Sequence, residues 1–441
     1  MPKQKLLAFL ILINQVVSAQ IYHFETGKIL SGKPGQIIWN SGIYEGFSAD
    51  YGSFITLENP GNSHSKELVL PLIRIKALQD DSLKEPVFLL HGGPGEKNLQ
   101  SVLFFPQLLI NHDVILMGYR GVEGSRVLDD TYYKDALFSD SLNLTNYQTV
   151  FTSAFVRTMH YYQQTGINVS NYSIEQVAND LEQIRQIENY DTISLLSFSF
   201  GTMIAQTYAT KFSHRVKTNV QIGVRAPNDF IINNQTFKKQ LVKFCAYHDS
   251  LKGLSKGASK LDLDWMLEQV LGSQSDEVFH PIRFCLFFYS QFYTLENGMI
   301  LIDAAQTYRN NKPKKLVDLY TSFYKFYPNM LLGDLLLKKQ NGYIYSYRHK
   351  PADAIDSLIL IVNNWYTPYN TLFNQSKDFL VQNSLIETIT IYGAMDVATP
   401  LSKLQENTTC TRFYIIPDCG HLDFFYSKKK EVNKLIDSFF N

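Results

Sequence analysis

Three residues of this chain have the side chains that nucleophilic catalysis requires: Ser199, Asp396 and His421. Ser199 lies in the segment Ser197–Gly201 (SFSFG), a variant of Gly-x-Ser-x-Gly, in which a tight turn exposes the serine hydroxyl. A histidine can take the proton of that hydroxyl, and an aspartate can orient the histidine. The three residues therefore predict acyl transfer through a serine nucleophile.

The glycine-rich loop His91–Gly95 (HGGPG) supplies a further part of such a site. It follows a short apolar run, and its backbone can approach a substrate closely because glycine has no side chain. The tetrahedral intermediate of acyl transfer needs N–H donors for its oxyanion. We expect the amides of Gly93 and Phe200 to be these donors, the second at the N-terminus of a helix, where negative charge is favoured.

Each of these residues follows a segment that the sequence pattern predicts to be a strand. The strand segments that precede the serine, the aspartate and the histidine are Thr192–Ser197, Thr388–Tyr392 and Phe413–Ile416. The loop His91–Gly95 follows the apolar run Val87–Leu90. Open α/β sheets place their sites at the carboxyl ends of the strands, so these residues are expected to meet at one edge.

The order of predicted elements indicates an α/β fold. Apolar runs separated by turns predict antiparallel strands between residues 34 and 76, and residues 86–224 alternate strands and helices as a parallel sheet requires. One helix is expected to begin at an N-cap, Ser173, with Gln176 completing a capping box. The apolar run Leu358–Val362 is interpreted as another strand.

Residues 226–356 are helical and aromatic, without the alternation of strands, and they predict a helical cap inserted after the sixth core strand. The expected division is a core over residues 20–225, this cap, and a second part of the core over 357–441. The helical spacing of the cap aromatics favours a packed cap core over a pocket lining. These aromatics include Phe284, Phe287, Phe288, Tyr289, Phe292 and Tyr293.

Residues 1–19 have the three parts of a secretory signal peptide. Lys3 and Lys5 precede the apolar run Leu6–Val17, and the small residue Ala19 occupies the −1 position of a cleavage site. The apolar run is shorter than the roughly 20 residues that a membrane-spanning helix needs. We therefore expect a secreted or periplasmic protein that does not stay inserted in a membrane after cleavage.

Composition excludes several other classes. The 41 basic and 41 acidic side chains argue against a nucleic-acid partner, and a hydrophobic fraction of 45% excludes global disorder. No metal-binding spacing, phosphate-binding loop or flavin motif occurs, so no cofactor is expected. An exported chain can form disulfides. Of the four cysteines, Cys245 and Cys285 are the favoured pair, because a strand would hold Cys410 and Cys419 too far apart.

The motifs together resemble the prolyl iminopeptidase family of serine peptidases, within the α/β-hydrolase superfamily. The resemblance is carried by the loop His91–Gly95, the Ser199 turn, Gly393–Pro400 and Gly420-His421, with Arg120-Gly121-x-x-Gly124-Ser125 as an altered family turn. The stretch from Tyr172 to Thr202, with Asp180-Leu181, is closer to the secreted tripeptidyl-aminopeptidase-like branch, as is Tyr51–Phe54 leading to Leu70-Pro71. The resemblance covers residues 35–225 and 357–441. Two departures are Ser197 in place of a glycine and Glu96 where a small residue is commoner.

The resemblance implies an aminopeptidase that works through a Ser199/His421/Asp396 triad and an acyl-enzyme. In that family a carboxylate holds the free α-amino group of the peptide. Glu96 is the candidate from its position beside the loop, and acids of the cap such as Asp229 and Glu268 stay open as alternatives. A carboxylesterase or lipase would use the same triad on acyl esters, so it stays open as the alternative. The serine nucleophile disfavours an epoxide hydrolase or dehalogenase, and the intact triad disfavours a non-catalytic binding protein.

Overall fold

The computed structural model describes most of the chain between residues 32 and 440. The described residues are 32–79, 84–100, 105–129, 131–225, 232–272, 278–325, 333–334, 338, 351–366, 386–401 and 411–440. The predicted signal peptide, residues 1–19, and Cys410 lie outside this part of the chain.

The described strands form one twisted sheet in the order β1-β2-β3-β5-β4-β6-β7-β8-β9. Strands β1 to β3 are antiparallel, β5 pairs antiparallel with β3, and the pairs from β5 to β9 across the sheet are all parallel. The antiparallel start and the parallel sheet are therefore confirmed. The strands are β1 (Gln36–Tyr44), β2 (Phe47–Leu57), β3 (Glu67–Ile75), β4 (Val87–Leu90), β5 (Val114–Met117), β6 (Ile193–Phe198), β7 (Val216–Ile222), β8 (Thr388–Gly393) and β9 (Thr411–Ile416).

Helices cover the sheet and build a cap at one edge. The described helices are α1 (Thr131–Phe138), α2 (Tyr147–Gln164), α3 (Ile174–Ile187), α4 (Phe200–Lys211), α5 (Asn234–Lys252), α6 (Ala258–Gly272), α7 (Pro281–Gln291), α8 (Leu295–Arg309), α9 (Lys314–Lys325), α10 (Ala354–Tyr366) and α11 (Lys429–Phe440). Ser173 caps α3 as predicted, since its side chain accepts a hydrogen bond from the amide of Gln176 at 3.3 Å. None of the described helices is long and apolar enough to cross a membrane.

The cap has a core of its own, separate from the two clusters that line the faces of the sheet. It follows β7, which is the sixth strand when counting starts at β2. The predicted cap aromatics Phe284, Phe287, Phe288, Tyr289 and Phe292 are all buried in this core.

Two parts of the chain that the sequence analysis assigned to the α/β core contribute instead to the core of the cap. Helices α1 and α2 belong to the range 20–225, which was expected to be core, yet they pack into the cap cluster. Tyr133 of α1 donates a hydrogen bond to the carbonyl of Trp365 in α10 at 2.8 Å. The predicted strand Leu358–Val362 is wrong, because these residues lie inside α10. Their side chains are largely buried among the cap helices, so a helix here is apolar nearly all round and resembles a buried strand in sequence.

The predicted disulfide between Cys245 and Cys285 is also wrong. Both residues are free thiols buried in the cap core. Burial raises the pKa of Cys245 to about 12 and moves the pKa of Cys285 well above its usual value. Each therefore serves as a small apolar side chain that fills the core.

Candidate active site

Ser199 occupies a strained turn between β6 and α4. Its φ of 50° and ψ of −120° are unusual for a residue with a side chain, and its amide donates to the carbonyl of Ile222 at 3.0 Å. The turn requires small neighbours: a Cβ atom on Gly201 would lie 2.0 Å from the carbonyl oxygen of Leu90. Ser197 fits where the motif usually has glycine, because its hydroxyl donates to the carbonyl of Val220 at 3.2 Å.

The structure brings Ser199, His421 and Asp396 into one chain of hydrogen bonds, although 222 residues separate the serine from the histidine. The hydroxyl of Ser199 lies 3.0 Å from Nε2 of His421, and Nδ1 of His421 lies 2.8 Å from Oδ2 of Asp396. All three side chains are buried. With Nδ1 protonated toward Asp396, Nε2 is free to accept the serine proton.

Asp396 is held by more donors than the histidine alone. The amides of Ala398 and Thr399 donate to Oδ1 at 2.8 Å each, and the Thr399 hydroxyl donates to Oδ2 at 2.6 Å. Burial acts to raise the pKa of Asp396, but His421 and the Thr399 donors outweigh it, so this pKa lies below its usual value. The carboxylate is therefore ionised at neutral pH, as an orienting partner for an imidazole must be.

The loop His91–Gly95 lies against the nucleophile. A Cβ atom on Gly92 would approach Cβ of Ser199 to 2.9 Å, and Gly93 has a φ of 133°, a conformation open to glycine. Phe200 is the first residue of α4, so its amide is at the positive end of a helix dipole beside the serine. The two expected oxyanion donors thus lie on the two segments that border Ser199.

Asn98 fixes this loop through contacts that sequence patterns did not indicate. Its Oδ1 accepts from the amide of His91 at 2.7 Å, and its Nδ2 donates to the carbonyls of Leu89 and Met117 at 2.9 Å each. The side chain therefore links the ends of β4 and β5 to the start of the glycine-rich loop.

A second buried carboxylate, Glu123, supports the same loop. It accepts from the amides of Asn98 and Tyr119 at 2.9 and 3.2 Å through Oε2, and from Leu99 at 3.1 Å through Oε1. Burial raises the pKa of Glu123 to about 7 despite these three donors. This residue lies inside the altered turn Arg120–Ser125, where the sequence analysis named only arginine, glycine and serine.

Arg120 of that turn forms a buried ion pair with Asp180 of α3. Two hydrogen bonds of 2.6 Å join the guanidinium and the carboxylate, and neither side chain is exposed. Arg120 also donates to the carbonyls of Glu58 and Asn171, while its own carbonyl accepts from Lys338 of the cap at 3.1 Å. The pair fixes the turn after β5 against α3 and does not reach the triad.

Glu96, the candidate for a substrate amine, is half-exposed beside the glycine-rich loop. Its Oε2 lies 3.7 Å from Nδ1 of His91. Burial lowers the pKa of His91, although the Glu96 carboxylate partly counteracts it, so this imidazole is uncharged at neutral pH. His91 was expected to be structural, and its ring contacts Phe198 and not Ser199.

Aromatic rings enclose the imidazole of His421. The ring of Phe198 lies 4.8 Å from it, centroid to centroid, and the ring of Tyr293 from the cap lies 5.4 Å away in an edge-on arrangement. Among the described residues, no group of three or more His, Cys, Asp and Glu side chains could hold a metal ion.

Comparison with known proteins gives the family. A sequence model described as the α/β hydrolase fold matches residues 85–428, well over half of the chain. The chain therefore belongs to the α/β hydrolase fold family, and it is a hydrolase of that fold. No curated protein matches it.

Solved structures resemble the chain at low sequence identity. The meta-cleavage product hydrolase from Pseudomonas fluorescens IP01 is 15% identical with a TM-score of 0.43, and the match covers 85% of this chain and 94% of that one. A thermophilic esterase from Thermogutta terrifontis is 14% identical with a TM-score of 0.39, over 88% of this chain and 97% of that one.

Proposed function

We propose that this chain is an exported serine hydrolase, an aminopeptidase that releases N-terminal residues from peptides. One observation carries the serine-hydrolase part of this proposal: Ser199, His421 and Asp396 form a continuous hydrogen-bonded chain with distances of 3.0 and 2.8 Å. The strained backbone of Ser199 and the ionised state of Asp396 both support a nucleophilic role for the serine.

In this mechanism Ser199 attacks the carbonyl carbon of the substrate while Nε2 of His421 takes the hydroxyl proton. Asp396 stabilises the imidazolium, and the amides of Gly93 and Phe200 donate to the oxyanion. His421 then gives the proton to the leaving amine, and an acyl-enzyme remains on Ser199. Water, deprotonated by His421, cleaves this ester and restores the serine.

The preference for a free amine rests on Glu96. Its carboxylate lies beside the glycine-rich loop, and its contact there is with the uncharged imidazole of His91, which does not neutralise it. A negative charge next to the oxyanion donors suits the α-ammonium of a peptide whose first carbonyl is attacked. The family resemblance of the loop, turn and histidine motifs points to the same substrate class.

The decisive experiment compares matched substrates on the mature protein, residues 20–441. Free-amine aminoacyl and tripeptidyl anilides, with prolyl among them, are measured beside N-blocked anilides and short acyl esters. Strong cleavage of free-amine anilides with little cleavage of blocked ones supports the aminopeptidase. Ester cleavage without anilide cleavage contradicts it and favours the carboxylesterase.

Ser199→Ala supplies the background for every substrate. We expect it to lower kcat by at least about 10⁴-fold and to abolish reaction with a fluorophosphonate. Ser194→Ala is the matched control, because Ser194 is a buried serine at the opposite end of β6, where it contacts Glu85. If Ser199→Ala kept most of its activity, the assignment of the nucleophile would be wrong.

A further inference from the structure

The residues on both sides of His421, Gly420 and Leu422, are linked to one corner of the cap, Leu422 directly and Gly420 through the side chain of Asp423. This corner, Tyr293 to Leu295, joins α7 to α8. The amide of Leu422 donates directly to the carbonyl of Tyr293 at 2.8 Å. The amide of Gly420 donates to Oδ2 of Asp423 at 2.7 Å, and the same oxygen accepts from the amide of Leu295 at 2.8 Å.

Asp423 is well suited to hold this junction. Its side chain is buried, and its second oxygen accepts from the Ser427 hydroxyl at 3.1 Å. Leu295 is the first residue of α8, so the carboxylate also lies at the positive end of a helix dipole. The histidine loop and the cap corner approach each other closely, since a Cβ atom on Gly420 would lie 2.9 Å from the carbonyl oxygen of Tyr293.

The same corner contacts the imidazole itself. The ring of Tyr293 meets the His421 ring at an interplanar angle of 71°, and the ring of Phe198 also contacts the imidazole. His421 is therefore linked to the cap corner through both of its neighbours in the chain and through its ring.

We propose that Asp423 is a positioning residue, which holds His421 in line with Ser199 by joining the histidine loop to the cap corner. The cap then supports the general base and is more than a cover over the site. This inference rests on the proposed function, because His421 is taken to be the base. Asp423 does not touch the reacting atoms and acts only through Gly420 and Leu295.

Two variants remove the junction in different ways. Asp423→Ala deletes the acceptor. Leu295→Pro deletes one donor and keeps the acceptor, at the first position of a helix, where proline is tolerated. Asp423→Asn is the conservative variant, because one amide oxygen can accept from both amides while the amide nitrogen donates to Ser427. Asp303→Ala removes a carboxylate of α8 that contacts the buried His248 and pairs with Lys252 and Lys315, so it controls for general loosening of the cap.

We expect Asp423→Ala to lower kcat on the best substrate by about 10²-fold with little change in KM, as misplacement of a catalytic group does. Leu295→Pro should act in the same direction, while Asp423→Asn and Asp303→Ala stay close to the original protein. The proton on Nδ1 of His421, followed by NMR of histidine-labelled protein, should keep its low-field signal in Asp423→Asn and lose it in Asp423→Ala.

An unchanged kcat and an unchanged Nδ1 signal in Asp423→Ala would overturn the inference, as would an equal loss in Asp303→Ala at the same thermal stability. If the original protein fails to cleave any substrate or to react with a fluorophosphonate, the proposed function fails. The Nδ1 signal does not depend on turnover, so it still decides whether Asp423 positions His421.

Discussion

The protonation of His91 decides whether the neighbouring carboxylate of Glu96 forms an ion pair with it. Were His91 protonated, the two side chains would form an ion pair at 3.7 Å, and little charge would remain for a substrate. Burial keeps the imidazole neutral, so His91 and Glu96 do not form an ion pair. In the proposed function, Glu96 is the carboxylate that the α-ammonium group of a peptide substrate would meet.

The first prediction concerns this charge. Glu96→Gln should raise KM for free-amine anilides by roughly 10- to 100-fold, the worth of one charge-assisted hydrogen bond. KM for N-blocked anilides and esters should not change. Steady-state kinetics on both substrate sets tests this, with Glu67→Gln, at an exposed position of β3, as the control. An equal rise of KM for both sets would assign Glu96 a general structural role.

The second prediction compares the two small residues of the nucleophile turn. Gly201→Ala places a Cβ atom 2.0 Å from the carbonyl oxygen of Leu90, so the turn must open. We expect a loss of several kcal/mol in the free energy of unfolding and a severe loss of activity. Ser197→Gly deletes one hydrogen bond and should cost only about 1 kcal/mol with activity retained. Urea unfolding and kcat measure both; a stable, active Gly201→Ala protein would show that the turn is less constrained than described.

At the residue scale the sequence selected three residues that the structure joins by hydrogen bonds, because each of them lies in a local motif. Ser199 has a five-residue signature, and Asp396 and His421 follow strand-like runs in the expected order. Asn98, Glu123 and Asp423 were missed, since each acts on a partner that no local pattern encodes. Glu123 is recognisable only once the turn after β5 and the loop after β4 are side by side.

The loops at the ends of β4 and β5 are joined by one buried carboxylate, Glu123. The carboxylate of Glu123 accepts hydrogen bonds from three backbone amides of these two loops. Its pKa rises from 4.5 to about 7 because burial disfavours the charged form. The folded state therefore binds the proton more tightly than the unfolded state does.

A pH dependence follows from this shift. Between about pH 4.5 and 7 the folded protein holds more protons at Glu123 than the unfolded chain, so this group makes stability fall as the pH rises. At 1.36 kcal/mol per unit the contribution is about 3 kcal/mol. The difference in the free energy of unfolding between Glu123→Gln and the original protein should move in favour of the variant by that amount over this range. Urea unfolding at several pH values measures it, and a difference independent of pH would contradict the shift.

Short apolar runs predicted some of the strands correctly, but one such run belongs to a helix. Strands β4 and β5 are buried at every position, and each appears in the sequence as a short apolar run between turns. Helix α10 contains a similar run, Leu358–Val362, but its partners are cap helices that lie far away in the sequence. Five apolar residues in a row fit both structures, and only the packing separates them.

The whole molecule combines a sheet, a cap and a predicted leader that export would remove. Expression of the full chain in a secreting host should give a product that begins at Gln20, because Ala19 fits the −1 position of the cleavage site. N-terminal sequencing of the secreted protein measures this. Ala19→Arg should block processing, and Gln20→Glu should not. A secreted product that still carries Met1 would contradict the prediction of a cleaved signal peptide.

The cap core combines helices α1 and α2 with helices that come much later in the chain, so it cannot form until those later helices have been synthesised. The hydrogen bond from Tyr133 to Trp365 spans 232 residues, and β6, Ser199 and β7 lie between its ends. The apolar faces of α1 and α2 therefore remain uncovered until the later cap helices are synthesised, although the strand that precedes Ser199 has been synthesised by then. At synthesis rates of about 5–20 residues per second that interval lasts on the order of ten seconds or more, during which a holding chaperone would find those faces uncovered.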